Sequence, residues 1–444
     1  MNASLNNSSF NVETDPFDAF NRESILVNRV PRCNVARIEV GQGCSDSSSI
    51  CSSLSAIEET FSGADAQKLL SDHSINDFKA WNNGTFKHLV SLTPDGLIAN
   101  HALVFKDDET SFHAISYCGL PYVGALACGN YRCVCRANEV FALRLSGPLS
   151  LEILEKASGD DLHDLEALEF APMRIEGVQA SFEVACVSSG FEPVYEVRGS
   201  LEHGREAFDA VCRVGEPMGM ERAVLSDRSI CRMPSEYVQM AVDFESSLHQ
   251  YGEYRASFPY QMNCCGSVDP ANTRARFRTP VECDWGWMAE FDHDFVGRQA
   301  LEAEMLDPMR RHVMLEFDET DLAEVYRSQF TDKPYKFMDT PCSHRQSMGG
   351  HQDIVASSDG MIIGVSSCPA FNQRLHSVVS HAVLDLGEAE EGGEVLVRWG
   401  EFGERVIDLR AKIVMHPRSH GAPGRRNRDL ETDRMSLCAS EATR

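Results

Sequence analysis

Five segments in the last third of the chain alternate apolar and polar residues with a period of two. They follow Leu301, are separated by turns that carry Gly and Asp, and read RHVMLEF, MIIGVSS, SHAVLDL, EVLVRWG and RVIDLRAKIVM. Side chains of a strand point alternately to its two faces, so this period indicates strands with one buried and one solvated face. Residues 301–417 are therefore predicted to form a small antiparallel β-barrel or sandwich.

The region before Leu301 mixes helical and strand periods. Residues 64–75, ADAQKLLSDHSI, have the i, i+3, i+4 apolar spacing of a helix, and KHLVSL and LIANHALVF flank the turn TPDG as a hairpin. A second unit combines the strand EVFALRL, the helix SLEILEKA, strands near ASFEVACV and VYEVRGS, and the helix EHGREAFDAVCRVG. Alternating helices and strands predict the α+β fold class.

Charge and hydropathy limit the partners of the chain. Its 444 residues carry a formal net charge of -26, which opposes non-specific binding to nucleic acid or anionic lipid. No stretch approaches the roughly 20 apolar residues of a membrane span, and the start MNASLNNSSF lacks the basic and apolar regions of an export signal. We expect a cytoplasmic monomer or homodimer whose partner is a small molecule, with no nucleic acid and no membrane.

The cysteines are predicted to be reduced thiols without a metal. Sixteen are scattered through a large chain that shows no export signal. Cys133 and Cys135, and the pair Cys264 and Cys265, lack the paired C-x2-C spacing that closes a tetrahedral zinc site. Buried structural thiols are the preferred interpretation.

Several motifs occur in the order of a known family. GADAQKLLSDHSINDFKAW, PDGLIANHALVFKDDETSF, ECDWGWMAEFDHDFVGRQALEAE, YKFMDTPCSHRQSM and EVLVRWGE follow one another between about Gly63 and Pro417. ECDWGW, at 282–287, followed by FVGRQAL is similar to the signatures E-A-G-L-G-W and F-I-G-R-E-A-L. In these motifs the chain resembles the glycine-cleavage T-protein superfamily, and most of all its vanillate, methylgallate and syringate O-demethylases.

The resemblance implies a ring of three domains around a central channel, with ferredoxin-like α+β domains and the C-terminal β-domain. Tetrahydrofolate would enter this channel and accept a one-carbon unit from a substrate on the other side. The expected division is an irregular segment 1–55, a folate-binding α+β domain 56–138 with 216–300, an α+β domain 139–215, a β-rich domain 301–417 and a basic tail 418–444.

Four residues are matched to cofactor binding through this resemblance. Glu196 stands where the family has a glutamate that accepts hydrogen bonds from the pterin ring, and its alternative is a solvated strand glutamate. Arg222 stands where a cation meets the glutamyl tail of folate, and its alternative is a surface ion pair. Trp285 and Trp287 fall where the family lines the channel floor, although core packing is the commoner role of such residues.

The family's catalytic residues are replaced. Where the family has an Asp pair this chain has Asn100 and His101: Asn100 can orient a donor, and His101 can titrate near neutrality or be a structural group. A proton-donating tyrosine is replaced by Val224, and an N-terminal histidine pair by the Ser/Cys run at 51–55. Tyr117, which takes the place of a substrate-region arginine, can donate a hydrogen bond or simply pack.

Three functions remain open at this stage. The first is tetrahydrofolate-dependent O-demethylation of a methoxylated aromatic compound that produces methyl-tetrahydrofolate. The second is transfer from a methylated amine or sulfonium donor, whose leaving group departs neutral and so needs less acid catalysis. The third is a non-catalytic folate-binding accessory protein.

Overall fold

The computed structural model gives the chain an α+β architecture with two β-systems. It describes residues 37–40, 55–116, 122–187, 194–222, 238–240, 242–251, 265–338, 351–372 and 376–414. None of the helices in these ranges is long and apolar enough to cross a membrane.

Ten strands form the first β-system. They are β1 (Arg37–Val40), β2 (Ser55–Ser62), β3 (Phe86–Leu92), β4 (Ile98–Lys106), β5 (Ser111–Ser116), β6 (Val134–Ser146), β7 (Phe170–Met173), β8 (Phe182–Cys186), β9 (Val194–Ser200) and β10 (Glu221–Arg222). Their order is β3-β4-β5-β2-β6-β9-β8-β7, and β1 pairs with both β6 and β10. The long strand β6 crosses residue 139, so the two α+β domains expected from the sequence would share it.

The two ends of this sheet meet. Thr85, next to β3, forms an antiparallel bridge with Glu169, next to β7. Phe86 N donates to Leu168 O at 2.9 Å, and Phe170 N donates to the carbonyl of residue 84 at 2.8 Å. The sheet therefore curls around its own face, which is called the interior face below.

Helices cover the opposite face. They are α1 (Ala66–Asp72), α2 (Val123–Ala127), α3 (Ser150–Ser158) and α4 (Gly204–Gly215). Leu69 and Leu70 of α1 pack with Leu89 and Val104 of the first half of the sheet. Along the second half, α3 and α4 pack on Phe141, Leu143, Val184 and Val197. This burial of apolar side chains is the main stabilisation of the sheet.

A bulge interrupts the hairpin of β3 and β4. Ser91 pairs with Asn100 but Leu92 pairs with Ile98, which leaves Ala99 as an extra residue in β4. The turn is closed at Gly96, whose φ of 84° suits glycine. Bulges commonly occur beside functional sites, because they redirect the side chains that follow.

The second β-system is a closed six-stranded antiparallel barrel. Its strands are β11 (Arg310–Phe317), β12 (Gln352–Ala356), β13 (Ile362–Asn372), β14 (Ser377–Asp385), β15 (Glu394–Trp399) and β16 (Ile407–Val414), in the order β11-β14-β13-β12-β15-β16. Helix α5 (Arg298–Leu306) precedes it, and α6 (Glu319–Ser328) follows β11. Short 3-10 turns lie at Leu201–His203, Glu216–Met218, Ser247–Gln250, Thr273–Arg276, Gly286–Met288 and Leu386–Glu388.

The segment between the two systems binds to both. Ile98 N donates to Arg278 O at 2.8 Å, and Ser246 Oγ donates to Ala99 O at 2.6 Å, so the bulge of β4 is fastened to this segment. Arg278 Nη2 donates to Gln352 Oε1 of the barrel at 2.7 Å. These bonds fix the β4 bulge relative to the barrel.

The predicted α+β class, hairpin and C-terminal barrel are confirmed. The structure also shows α6, which the sequence interpretation did not include. Asp318 caps this helix, because its side chain accepts hydrogen bonds from the N–H groups of Thr320 and Asp321.

Candidate functional site

The interior face carries both Glu196 and His101. Residues directly opposite one another in paired strands lie on the same face, and alternate residues along a strand share that face. This rule connects His101 on β4 to Glu196 on β9 without a register shift. The connecting residues are Leu103, Ile115, Glu58, Asn138 and Arg144.

His101 lies between a second imidazole and an indole. Its Nε2 is 3.0 Å from Nδ1 of His88, and its ring centroid is 4.7 Å from that of Trp285. Burial lowers the pKa of His101 to about 3, with a further lowering by His88, and burial lowers the pKa of His88 to about 4. Both rings are therefore neutral at physiological pH, and one donates to the other.

Asn100 lies on the other face. Consecutive strand residues point to opposite faces, so Asn100 and His101 do not line one pocket. Asn100 is fully buried, and neither its Oδ1 nor its Nδ2 has a hydrogen-bond partner among the described residues. A buried amide without partners is unfavourable by about 1–3 kcal/mol. Of the two candidates that replace the family's aspartates, His101 is the one that faces the interior.

Glu196 is half-buried beside a buried guanidinium. Arg198, two residues along β9 on the same face, places its Nε 3.8 Å from Glu196 Oε1. Arg198 is 2% exposed, and its guanidinium carbon lies 3.8 Å from the centre of the Phe105 ring. Its Nη2 donates to Glu183 Oε1, whereas Nε and Nη1 have no hydrogen-bond partner among the described residues.

A charge network continues from Arg198. The Nε2 of His113 is 3.2 Å from Glu183 Oε1, and its Nδ1 is 3.0 Å from Asp107 Oδ1. Burial alone would lower the pKa of His113, but its hydrogen bonds with Asp107 and Glu183 outweigh burial and raise that pKa to about 9. Burial opposes ionisation of Glu183, but His113 and Arg198 lower its pKa. Two anions and two cations thus balance one another at neutral pH.

Asp107, His113 and Glu183 have the residue types and spacing of a metal site. Their ligand atoms lie within 4.8 Å of one another. The two carboxylates, however, contact different nitrogens of one imidazole, so a single ion cannot reach all three groups through one ring nitrogen. Because Glu183 also forms an ion pair with Arg198, the three residues are better described as part of an ion-pair network.

Of the remaining predicted residues, Trp285 contacts His101, whereas Trp287 lies on the surface. Trp285 is 1% exposed and packs against Phe244, with its Nε1 unpartnered among the described residues, whereas Trp287 is 61% exposed. Arg222 belongs to β10, where its backbone pairs with residue 38 of β1, next to β6. Tyr117, Val224 and residues 51–54 of the Ser/Cys run lie outside the described residues, and Ser55 begins β2.

Sequence reasoning did not identify His88, His113, Glu183 and Arg198. Arg198 has the clearest signal in the sequence, since it stands two residues after Glu196 in VYEVRGS and a strand places such residues side by side. His88 lies on the strand that the predicted hairpin pairs with β4, so that hairpin was the signal for its proximity to His101. The contact of His113 with Glu183 joins residues far apart in sequence and has no local signal.

Fold and site together define an α+β class in which a curled sheet and a C-terminal barrel are joined by the segment that binds to both. Residues 47–252 match the family "GCVT N-terminal domain". The structure is similar to that of the glycine cleavage system aminomethyltransferase T from Bartonella henselae, with a TM-score of 0.59, 15% identity and coverage of 86% of each chain. The resemblance seen in the sequence motifs is confirmed, and the chain has the T-protein fold.

Two curated relatives match most of the chain. A sesamin methylene transferase from Sinomonas sp. is 28% identical over 389 residues, covering 80% of this chain and 82% of the relative. A syringate O-demethylase from Sphingobium sp. is 26% identical over 370 residues, covering 78% of each protein.

Proposed function

We propose that this protein is a tetrahydrofolate-dependent one-carbon transferase that removes a methyl or methylene carbon from an aromatic ether. The observation that carries the proposal is the placement of Glu196 and His101 on one interior face, with an indole against the imidazole. The names of the two relatives that match most of the chain support an aromatic substrate, and its T-protein fold supports the folate.

The residues of the interior fit a pterin ring. Glu196 is half-buried on this face and offers carboxylate oxygens to the N–H edge of the ring. Val140 and Ala142 pack with Ile115 on the same face and offer apolar walls. Flat rings bind between such walls while a few polar groups fix their orientation. Glu196 is therefore the residue expected to hold the ring.

In O-demethylation the aryl oxygen would keep the electrons of the broken O–CH3 bond and take a proton. Bound tetrahydrofolate would supply the N–H nitrogen that takes the methyl group and gives up a proton, so one proton is released for each proton taken up. The chain would hold the ether in line and give the departing oxygen a hydrogen bond while a proton reaches it. With a pKa of about 3, His101 cannot be a charged acid at neutral pH, but it can donate a neutral N–H hydrogen bond to the oxygen. His88 fixes the orientation of that ring through the 3.0 Å contact.

The same observation favours a second candidate, a methylated amine or sulfonium donor. A neutral His101 is a weak acid. A methyl donor whose leaving group departs neutral needs no acid catalyst. This candidate predicts turnover with methylated amines and none with aromatic ethers.

Titration of the purified protein with tetrahydrofolate tests the cofactor assignment. Glu196→Gln keeps the shape of the side chain but loses its charge, and we expect an affinity about 10–100-fold weaker, because hydrogen bonds to charged groups contribute about 1.5–3 kcal/mol. Glu202→Gln, in an exposed turn after β9, is the matched control and should bind like the parent. Equal affinities in all three proteins would contradict the assignment of Glu196.

Turnover is tested by mass spectrometry of the folate and of the demethylated product. The panel contains syringate, sesamin, other methoxylated aromatics and methylated amines. One-carbon transfer from an aromatic ether supports the proposal, transfer from an amine supports the second candidate, and binding without transfer indicates an accessory role.

A further inference from the structure

Arg198 has two N–H donors that the described part of the protein does not use. Nε and Nη1 lack hydrogen-bond partners there, although the residue is 2% exposed. A guanidinium does not lose its proton in proteins, so it cannot relieve this by becoming neutral. Buried donors without partners are destabilising, so these two groups call for an acceptor that binds from the interior.

The guanidinium is held in place from two sides. Glu183 accepts from Nη2, and Phe105 lies under the guanidinium plane with its ring centre 3.8 Å from the central carbon. Glu183 is fixed by His113, whose ring is parallel to that of Phe105 within 5° at 4.8 Å. The donors of Arg198 are therefore oriented before any ligand arrives.

Glu196 and Arg198 are neighbours that do not satisfy each other. The separation of 3.8 Å between Glu196 Oε1 and Arg198 Nε exceeds hydrogen-bond length. Side by side they present an acceptor and a donor on one face. The chemical complement is a ring edge with an N–H beside a carbonyl, that is, a cyclic amide.

We propose that Arg198 determines ring specificity: it donates to the 4-oxo group of the pterin whose N–H edge is held by Glu196. This inference rests on the proposed function, since it requires a folate on the interior face. Arg198 would then make the protein bind a 4-oxo ring in preference to a 4-amino ring. In the latter, an amino group would point its own hydrogens at the guanidinium.

The test compares binding of tetrahydrofolate with binding of its 4-amino analogue. The ratio of the two dissociation constants is measured in the parent and in Arg198→Met, which keeps length and the contact with Phe105 but has no donors. We expect the preference for the 4-oxo ring to fall about tenfold or more, as expected for loss of a charge-assisted hydrogen bond. Arg398→Met, at an exposed ion pair of the barrel, is the control and should keep the parental ratio.

Arg198→Lys supplies a second measurement should the Met variant fail to fold. Lysine keeps the charge near Glu183 but lacks the planar fork, so it too should reduce the preference. An unchanged ratio in a folded Arg198 variant that still binds folate overturns this inference and leaves the proposed function intact. Absence of binding of either compound to the parent overturns both.

Discussion

Replacing His113 by glutamine should weaken the dependence of the free energy of unfolding on pH between about 6.5 and about 9. In the parent, the ring of His113 bridges Asp107 and Glu183 at 3.0 and 3.2 Å and titrates with a pKa raised to about 9 from the ordinary 6.5. Glutamine can donate to one of the two carboxylates but has no charge to lose.

The magnitude follows from the pKa shift. A raised pKa means that the folded state binds the proton more tightly than the unfolded state, so the stabilisation is fully present below about pH 6.5 and is lost as the pH rises through about 9. The rise in the pKa of His113 from 6.5 to about 9 corresponds to about 3 kcal/mol. The difference in free energy of unfolding between parent and variant should shrink by about this amount across that window.

Urea denaturation at several pH values, followed by circular dichroism and tryptophan fluorescence, measures this difference. The two probes must give coincident transitions, because a protein with two β-systems can unfold in steps. Groups that the substitution leaves undisturbed contribute equally to the free energy of unfolding of parent and variant, so their titration cancels in the difference. A parent-minus-variant difference that stays constant from pH 6 to pH 10 would refute the assignment of a charged His113 bridge.

Two further predictions concern other parts of the fold. His101→Phe keeps an aromatic ring against Trp285 and removes an imidazole whose pKa is about 3 in the folded state. Between pH 7 and pH 5 the unfolded parent gains a proton on His101 and the folded parent does not, so acid destabilises the parent. The variant lacks this group, and its free energy of unfolding should therefore fall by about 2 kcal/mol less than that of the parent over this range. The readout is the urea midpoint at both pH values, and equal losses would contradict the prediction. Gly266→Ala should lower the melting temperature far more than Gly360→Ala: both glycines have positive φ, but a Cβ at Gly266 would lie 2.2 Å from Gln352 O, whereas one at Gly360 has nothing within 4 Å. We expect the free energy of unfolding to fall by about 3 kcal/mol in Gly266→Ala and by about 1 kcal/mol in Gly360→Ala. Similar melting temperatures of the two variants would show that the backbone at 266 adjusts freely.

Much of the fold could be predicted from local patterns. The β3–β4 hairpin follows from two apolar runs around a Gly-bearing turn, and the barrel follows from five period-2 segments. Helix α6 was missed even though Asp318 precedes it with a capping side chain, because the surrounding strands dominated the interpretation. The meeting of Thr85 with Glu169 has no local signal, since the residues are far apart in sequence.

The site was predictable only in part. Glu196 could be placed through the family motif, and its role as a ligand stays a prediction. Whether Asn100 or His101 faces inward was not readable from the sequence, because the bulge at Ala99 sets the register of the strand end. Arg198 is a buried charged side chain, and a sequence pattern rarely indicates that an arginine is buried.

The meeting of β3 with β7 has a further consequence for solubility. Open strand edges present unpaired backbone groups on which other chains can assemble, and proteins protect such edges in several ways. Around Thr85 and Glu169 the backbone hydrogen bonds that an intruding chain would use are already made within the molecule. A substitution that opens this junction would therefore expose two strand edges at once, and its first visible effect would be self-association of a still folded protein.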